Sequence, residues 1–172
     1  MGVSESAWSG STLSALIQHI VGKHHAFLRV ELPAIERMLA EWGTAAAGEH
    51  AGAAQSSRAL FRRFRVELEG HLKKEEDVLF PMIEEIEKAA QCGEKTPRQA
   101  FGSIAHPIGV MEAEHEFARR CLDALGEVLR RSAVPIEIRA RLAAMEADLK
   151  THSDLEDRIL FPRAIEMESA GQ

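Results

Sequence analysis

Four long segments of the chain carry apolar residues at alternating steps of three and four positions, and few folds are compatible with this pattern. The spacing gives an α-helix one apolar face, whereas a half-buried strand would need alternation with a period of two. The predicted helices cover about residues 12–42, 57–90, 106–130 and 136–167, and Pro33 is expected to bend the first. One long and two moderate connections join them. The sequence therefore predicts an all-α protein, an antiparallel up-down four-helix bundle.

Each predicted helix has a stripe of residues that should face the core. Helix by helix these are Val21, Leu28, Leu32, Ile35 and Leu39; Leu60, Phe64, Leu68, Val78 and Met82; Ile108, Met111, Ala118, Leu122, Leu125 and Leu129; and Ile138, Leu142, Met145, Leu149 and Ile159. A chain of 172 residues has room for one domain with a core large enough to fold unaided. We therefore expect a single domain over residues 1–172.

The charge and the cysteine content exclude several functional classes. With 21 basic and 27 acidic residues, the net charge is −6, so no basic face is expected for a nucleic acid or an anionic membrane. The first residues lack the basic and apolar regions of an export signal, and no segment has the pattern of a membrane span. Two cysteines, Cys92 and Cys121, cannot form a disulfide framework, which favours a reducing compartment. A cytoplasmic location is expected.

Polar residues interrupt the apolar stripe of every predicted helix. The interruptions are His25 in the first helix, His71 and Glu75 in the second, His115 in the third, and His152 and Glu156 in the fourth. Residues four positions apart stack on one helical face, about 6 Å apart along the axis, so each glutamate should lie one turn after its histidine. Buried carboxylates are strongly unfavourable unless a cation neutralises them. A metal centre would meet that requirement.

An internal repeat distinguishes these residues from ordinary core histidines, which usually bond a polar neighbour. The segment HLKKEEDVLFP at residues 71–81 recurs as HSDLEDRILFP at residues 152–162, with both His, both Glu and both Leu-Phe-Pro triplets in register. A weaker echo relates His25, Phe27, Arg29 and Leu32 to His115, Phe117, Arg119 and Leu122. Helices one and two thus match helices three and four. The repeat predicts two hairpins that enclose a metal site with pseudo-twofold symmetry.

The types of ligand limit the metal. Four imidazoles and two carboxylates, without a thiolate, suit non-haem iron or manganese better than structural zinc or copper(I). Six donors are too many for one ion with an open position, and they suit two ions bridged by Glu75 and Glu156. The repeat suggests His25 with His71 on one ion and His115 with His152 on the other. Manganese or zinc could substitute for two iron ions.

Several other residues compete for roles at this site. His24 is the alternative to His25 as the ligand from the first helix, although His25 holds the stripe and aligns with His115. His50 is expected to be a solvated loop residue. Glu67 and Asp148 each precede a ligand histidine by four positions, and each could orient its second ring nitrogen or be an exposed charge.

The segments that carry these residues resemble the hemerythrin-like, or HHE cation-binding, domains. The matching motifs are KHHAFLR at residues 23–29, HLKKEE at 71–76, PIGVMEAEH at 107–115, and residues 152–162 with Arg163 and Ala164. Within that family the chain is most similar to the C-terminal di-iron domain of bacterial proteins that repair iron–sulfur clusters after oxidative and nitrosative stress. The resemblance spans about residues 17–165.

The resemblance implies a four-helix bundle around two iron ions in an oxo- or hydroxo-bridged di-iron centre. It places the ligand roles on His25, His71, Glu75, His115, His152 and Glu156. Oxygen-carrying hemerythrins have a second histidine where this chain has Arg119, and their last carboxylate stands five rather than four positions after its histidine. Both differences disfavour dioxygen carriage.

The predicted function is that of a di-iron protein that handles O2, NO or peroxide in a stress response or in iron–sulfur cluster repair, with an iron–sulfur protein as client. The alternative is a gas or iron sensor or storage module without turnover, and the sequence does not decide whether the protein is an enzyme. A ferritin-like oxidase is disfavoured because such sites use Glu-x-x-His spacing rather than His-x-x-x-Glu.

Overall fold

The chain forms four long helices, and three of them are interrupted by a short π-helical segment. The computed structural model describes residues 8–45, 49–96 and 102–171, and within these ranges it contains helices and no strand. The first helix comprises α1 (Leu13–His19), π1 (Ile20–His25) and α2 (Ala26–Ala45); the second comprises α3 (Glu49–Lys74), π2 (Glu75–Leu79) and α4 (Phe80–Cys92). The third is α5 (Ala105–Arg130), and the fourth comprises α6 (Ile136–Leu155), π3 (Glu156–Leu160) and α7 (Phe161–Ala170). The predicted all-α four-helix bundle is confirmed.

Local signals in the sequence set several helix ends. The side chain of Thr12 accepts a hydrogen bond from the backbone N–H of Ala15 and caps α1, as hydroxyl residues commonly do. Gly93 adopts a left-handed conformation with φ of 67° and ends α4, a position that favours glycine. Pro135 directly precedes α6. Pro33 lies inside α2, which continues to Ala45.

The second helix begins at Glu49, whereas the sequence predicted a start near residue 57. Alanine has the highest helix propensity of all residues, and the Ala-rich segment is therefore helical. Ala54 is fully buried in the core, where its Cβ lies 3.9 Å from the position that a Cβ on Gly43 would occupy. His50 consequently belongs to a helix and not to a loop; its side chain lies outside the described part of the structure.

Most residues of the predicted stripes are buried, Leu60, Leu122 and Val21 are partly buried against the core, and Val78 is exposed. Val78 is 42% exposed, while Leu79 and Ile83 are buried. A π-helical turn holds one more residue than an α-helical turn, so π2 rotates the following residues relative to Glu75. The apolar face therefore continues on Leu79 rather than on Val78.

The apolar core divides into two clusters, one at each end of the bundle. The first cluster is built from α2, α3, the later part of α5, and α6, and it includes Trp42, Phe61 and Phe64. The second is built from α1, α4, the start of α5, and α7, and it includes Phe80 and Phe161. On every helix the six predicted ligand residues lie between the two clusters. They form a polar layer across the middle of the bundle.

Two buried glutamates hold the end of the molecule that contains the second cluster. Glu87 on α4 accepts hydrogen bonds from the backbone N–H groups of Leu13 and Ser14 at the start of α1. Glu168 on α7 accepts from the backbone N–H of Ile104 and the hydroxyl of Ser103, directly before α5. These carboxylates satisfy N–H groups that the first turn of a helix leaves unpaired.

None of the helices in the described part of the chain has the length and the apolar character that a membrane span requires.

Candidate metal centre

The six predicted ligand residues lie together in the polar layer, and all six are buried. His25 is the last residue of π1, and Glu75 and Glu156 are the first residues of π2 and π3. His71 and His152 precede these glutamates by one helical turn, so the local geometry brings each His-x-x-x-Glu pair to one face. Glu75 and Glu156 have no exposed surface. All four helices thus contribute to one compact group.

The six side chains form two overlapping groups, each able to hold a metal ion. One consists of His25, Glu75, His152 and Glu156, and the other of His71, Glu75, His115 and Glu156. Within each group the four ligand atoms lie within 4.8 Å of one another. Both glutamates belong to both groups, and each histidine belongs to one.

The histidines pair differently from the prediction. The Nε2 atoms of His25 and His152 are 3.1 Å apart, and those of His71 and His115 are also 3.1 Å apart. The predicted pairing of His25 with His71 and of His115 with His152 is therefore wrong. The repeat reveals which residues are equivalent, but which of them meet depends on how the two hairpins pack against each other.

Each glutamate presents one oxygen to each group. Glu75 Oε2 lies 3.4 Å from His25 Nε2, and Glu75 Oε1 lies 3.1 Å from His71 Nε2. Glu156 Oε1 lies 3.0 Å from His152 Nε2, and its Oε2 lies 3.2 Å from His115 Nε2. This arrangement suits two carboxylates that bridge a pair of ions.

Acidic side chains bond the second ring nitrogen of three of the four histidines. The Nδ1 atom of His25 lies 2.6 Å from Glu76, that of His71 lies 3.0 Å from Glu114, and that of His115 lies 2.8 Å from Asp157. A carboxylate that accepts from Nδ1–H fixes the tautomer and leaves Nε2 free to bind a metal. Arg29 and Lys74 in turn bond Glu76 and Glu114.

His152 is the exception, because its Nδ1 is buried without a hydrogen-bond partner among the described residues. The residue beside it is His24, whose ring lies 5.9 Å away between centroids and at 6° to the ring of His152. His24 bonds Asp148 through Nδ1 at 2.9 Å. His24 does not belong to either group of ligand atoms, and its ring lies beside the ring of His152.

The sequence left two roles open for Glu67 and Asp148, and it did not indicate which acids bond the proposed ligand histidines. Asp148 bonds His24 rather than His152, and Glu67 is exposed beside a cavity. The true partners of His25 and His115 are Glu76 and Asp157, which directly follow the two bridging glutamates. The repeat contained the signal, since an acidic residue stands at this position in both copies.

The charges of the site reinforce one another. Burial lowers the pKa of His115, but the carboxylates of Asp157 and Glu156 outweigh it and raise the pKa to about 10. Burial likewise lowers the pKa of His25 and His71, and Glu75 beside them raises both above the usual range. Burial raises the pKa of Glu156, but His152 and His115 lower it by more, so the pKa lies below its usual value and this carboxyl is anionic. The site attracts positive charge.

The donor set fits metal ions. Both oxygens of Glu75 and one oxygen of Glu156 are buried without a hydrogen-bond partner in the described structure, and such groups are costly unless a cation satisfies them. Nitrogen and oxygen donors without sulfur match the preferences of iron, manganese and zinc ions. The six residues could therefore hold two ions.

Two cavities reach the centre from the side of His71 and His115. One has a volume of about 280 Å³, lies between α3 and α5, and is lined by both histidines together with Glu67, Glu114 and Phe117. The other, of about 510 Å³, contacts His115 and is lined by Arg119. Arg119 itself is exposed and bonds Glu116 on its own helix.

Comparisons with known proteins agree with this geometry. The profile of the hemerythrin HHE cation binding domain family matches residues 16–164. The chain is 33% identical over 171 residues to the iron-sulfur cluster repair protein YtfE of Salmonella typhimurium strain LT2, covering 94% of this chain and 70% of that protein. The proteins of the same name from Salmonella paratyphi B and Salmonella newport match at the same identity and coverage. The chain therefore belongs to the hemerythrin HHE cation binding domain family.

Proposed function

We propose that the protein is a non-haem di-iron protein that binds O2, NO or peroxide and acts in the response to oxidative or nitrosative stress, including the repair of iron–sulfur clusters. His25 and His152 would hold one ion, His71 and His115 would hold the other, and Glu75 and Glu156 would each offer one carboxylate oxygen to either ion. The observation that carries this proposal is the pair of fully buried glutamates whose oxygens each face one imidazole pair.

Two further findings support it. Similar proteins are named for iron–sulfur cluster repair, and repair would require this chain to meet an iron–sulfur protein as its client. The described structure contains two free cysteines, Cys92 and Cys121, as expected for the reducing cytoplasm.

The chain's own residues define what the centre can do. When bound, two iron ions would supply redox chemistry and open coordination positions for a small ligand. Glu76, Glu114 and Asp157 orient three of the imidazoles. The cavity between α3 and α5 offers a route to His71 and His115 that is large enough for a diatomic gas or peroxide. The apolar clusters above and below the polar layer keep bulk water out.

The first experiment tests the centre itself. Freshly purified protein is expected to contain about two iron ions per chain by elemental analysis, with iron charge-transfer bands in its ultraviolet–visible spectrum. Protein that takes up no iron after anaerobic reconstitution with ferrous iron would contradict the proposal. Uptake of manganese or zinc in preference to iron would contradict only the identity of the metal.

The second experiment separates an enzyme from a sensor or store. Iron-loaded protein is mixed with NO or hydrogen peroxide, and consumption of each is followed over many equivalents. Binding without consumption would assign a sensing role. Transfer of iron to an apo iron–sulfur protein, with Glu75→Ala as the metal-deficient control, tests repair directly.

A further inference from the structure

The two halves of the centre are related by the internal repeat, but their surroundings differ at one position. His25 and His115 are equivalent in the repeat, as are His71 and His152. The residue before His115 is Glu114, which bonds His71 Nδ1 at 3.0 Å. The residue before His25 is His24, which lies beside the ring of His152. At this position of the repeat one half thus has an imidazole and the other a carboxylate, and only the carboxylate bonds the neighbouring histidine.

In the half of the repeat that has His24 in place of a glutamate, two buried nitrogens have no hydrogen-bond partner among the described residues. Neither His152 Nδ1 nor His24 Nε2 has a hydrogen-bond partner among the described residues, and His24 is only 1% exposed. Asp148 holds His24 through the opposite ring nitrogen at 2.9 Å. His24 therefore places an imidazole ring beside His152, whereas Glu114 places a carboxylate on the Nδ1 atom of His71.

The difference bears directly on metal affinity. A carboxylate behind a ligand histidine makes the imidazole more basic, and loss of such a partner typically weakens metal binding about 10- to 100-fold. The position of His71 and His115 has two carboxylate partners, Glu114 and Asp157. The position of His25 and His152 has one, Glu76.

We infer that the two metal positions are inequivalent, and that His24 makes the position of His25 and His152 the weaker one. His24 is a positioning residue. It does not belong to either group of ligand atoms, and it acts through His152, which it packs against without giving it a carboxylate partner. This inference rests on the proposed function, since it assigns an order of filling to the same site: the first ion occupies the position of His71 and His115, and the second can be removed while the first remains.

A matched pair of variants isolates the two positions. His152→Ala leaves the position of His71 and His115 intact, and His71→Ala leaves that of His25 and His152 intact. Each variant is titrated anaerobically with ferrous iron at equilibrium against a chromophoric chelator. We expect the His152→Ala protein to bind its ion at least about tenfold more tightly than the His71→Ala protein. Equal affinities, or the reverse order, would overturn the inference.

Variants that place a histidine at position 114 or a glutamate at position 24 test whether His24 causes the difference in affinity between the two metal positions. In the His152→Ala background, Glu114→His should weaken binding by about tenfold or more, and Glu114→Gln, which keeps a neutral acceptor oxygen, should weaken it less. Glu116→His removes the same charge from an exposed position on the same helix and should leave the affinity unchanged. In the His71→Ala background, His24→Glu combined with Asp148→Asn should tighten binding by about tenfold.

The results separate this inference from the proposed function. Wild-type protein that binds two iron ions with indistinguishable affinities would retain the di-iron centre and refute the inequivalence. Wild-type protein that binds no iron would refute both. Far-UV circular dichroism of each metal-free variant confirms that the affinities refer to folded protein, and an unchanged affinity in both exchange variants would remove His24 as the cause.

Discussion

At the scale of single residues, the histidines and acids of the site fall into two sets. Six buried residues form the proposed ligand groups, and other acids bond the second ring nitrogen of three of the histidines. The six residues that interrupt the apolar stripes and recur in the repeat lie close together in the polar layer. The sequence could not predict the contacts between helices. Which histidines pair, and which acid bonds each of them, depends on the packing of the hairpins, so the sequence left the role of Asp148 open and gave no indication that it bonds His24.

The proposed bridging role of Glu75 predicts the effect of its removal. Glu75→Ala takes one oxygen from each metal position, so both should weaken, and iron per chain after desalting should fall well below half of the wild-type value. His71→Ala, by contrast, removes a donor from one position only and should retain about one ion. Elemental analysis measures both.

The control for this prediction is Glu84→Ala, which removes an exposed carboxylate from the same helix and should leave the iron content unchanged. Wild-type iron content in the Glu75→Ala protein would show that Glu75 does not bridge the ions.

At the scale of elements, the π-helical segments position three of the six proposed ligand residues. Three of the four helices carry one, and each contains a predicted ligand at its first or last residue. A wide turn of this kind is often found at functional sites. The sequence predicted continuous helices, since periodicity over a whole helix scarcely changes when one residue is added. The missed π-helical turn has only a local effect on the predicted core: Val78 was expected to be buried, whereas Leu79 is the buried residue.

Deletion of Val78 should therefore damage the protein far more than its side chain would suggest. The deletion converts π2 to α-helical spacing and turns α4 by about 100° relative to Glu75, which removes Leu79, Phe80 and Ile83 from the core. We expect a loss of more than about 3 kcal/mol in the free energy of unfolding, measured by urea denaturation.

Val78→Ala is the matched substitution, and because the side chain is 42% exposed it should change stability by about 0.5 kcal/mol or less. A deletion variant as stable as Val78→Ala would mean that the wide turn is not needed for the register of α4.

The buried glutamates that cap α1 and α5 are a second feature of the elements. Glu87 and Glu168 occupy the same position in the two copies of the repeat, but nothing in their own helices marks them as caps, because their partners lie far away in sequence. Glu87 accepts three hydrogen bonds from Leu13 and Ser14. Burial raises its pKa, but these hydrogen bonds outweigh burial, so the pKa is lowered from the ordinary value of 4.5.

A group with a lowered pKa in the folded state stabilises the protein above its unfolded pKa, and this contribution is lost as the pH falls through the folded pKa. Glu87→Gln should therefore lower the free energy of unfolding by about 1–2 kcal/mol at pH 7. The difference from wild type should shrink as the pH falls below about 4.5. Urea denaturation at a series of pH values measures it.

The exposed neighbour Glu85 provides the control, and Glu85→Gln should have little effect at any pH. A Glu87→Gln deficit that stayed constant from pH 7 to pH 3 would show that the carboxylate charge does not contribute to the cap.

At the scale of the whole molecule, the sequence predicted the number of helices and most of their core faces, because both follow from the apolar period. Residues such as Leu28, Phe64 and Met145 are buried as expected. The division of the core into two clusters was not predicted. The division arises because the polar residues that interrupt the four helices lie at the same level along the bundle axis. That level depends on the lengths of the connections between helices, which the apolar period does not specify. The start of the second helix at Glu49 was missed for a different reason: residues 49–56 contain no large apolar side chain that would show the helical period.

Because of this division, the proposed metal ions would link the two ends of the molecule. Trp42 belongs to the first cluster, and Trp8 packs against the second, so the fluorescence of each reports one end. Bound ions hold side chains of all four helices and should make the two ends unfold together, with midpoints within about 2 °C. Without metal, the layer of buried carboxylates and imidazoles separates the clusters, and the midpoints should differ by more than about 5 °C.

Single-tryptophan proteins, Trp8→Phe and Trp42→Phe, measure the two midpoints in thermal scans with ferrous iron and with a chelator. Far-UV circular dichroism must show equal helix content before heating, so that any difference reflects unfolding rather than damage by the substitutions. Coincident midpoints in the metal-free proteins would mean that the helices alone couple the two clusters and that the ions add stability without adding cooperativity.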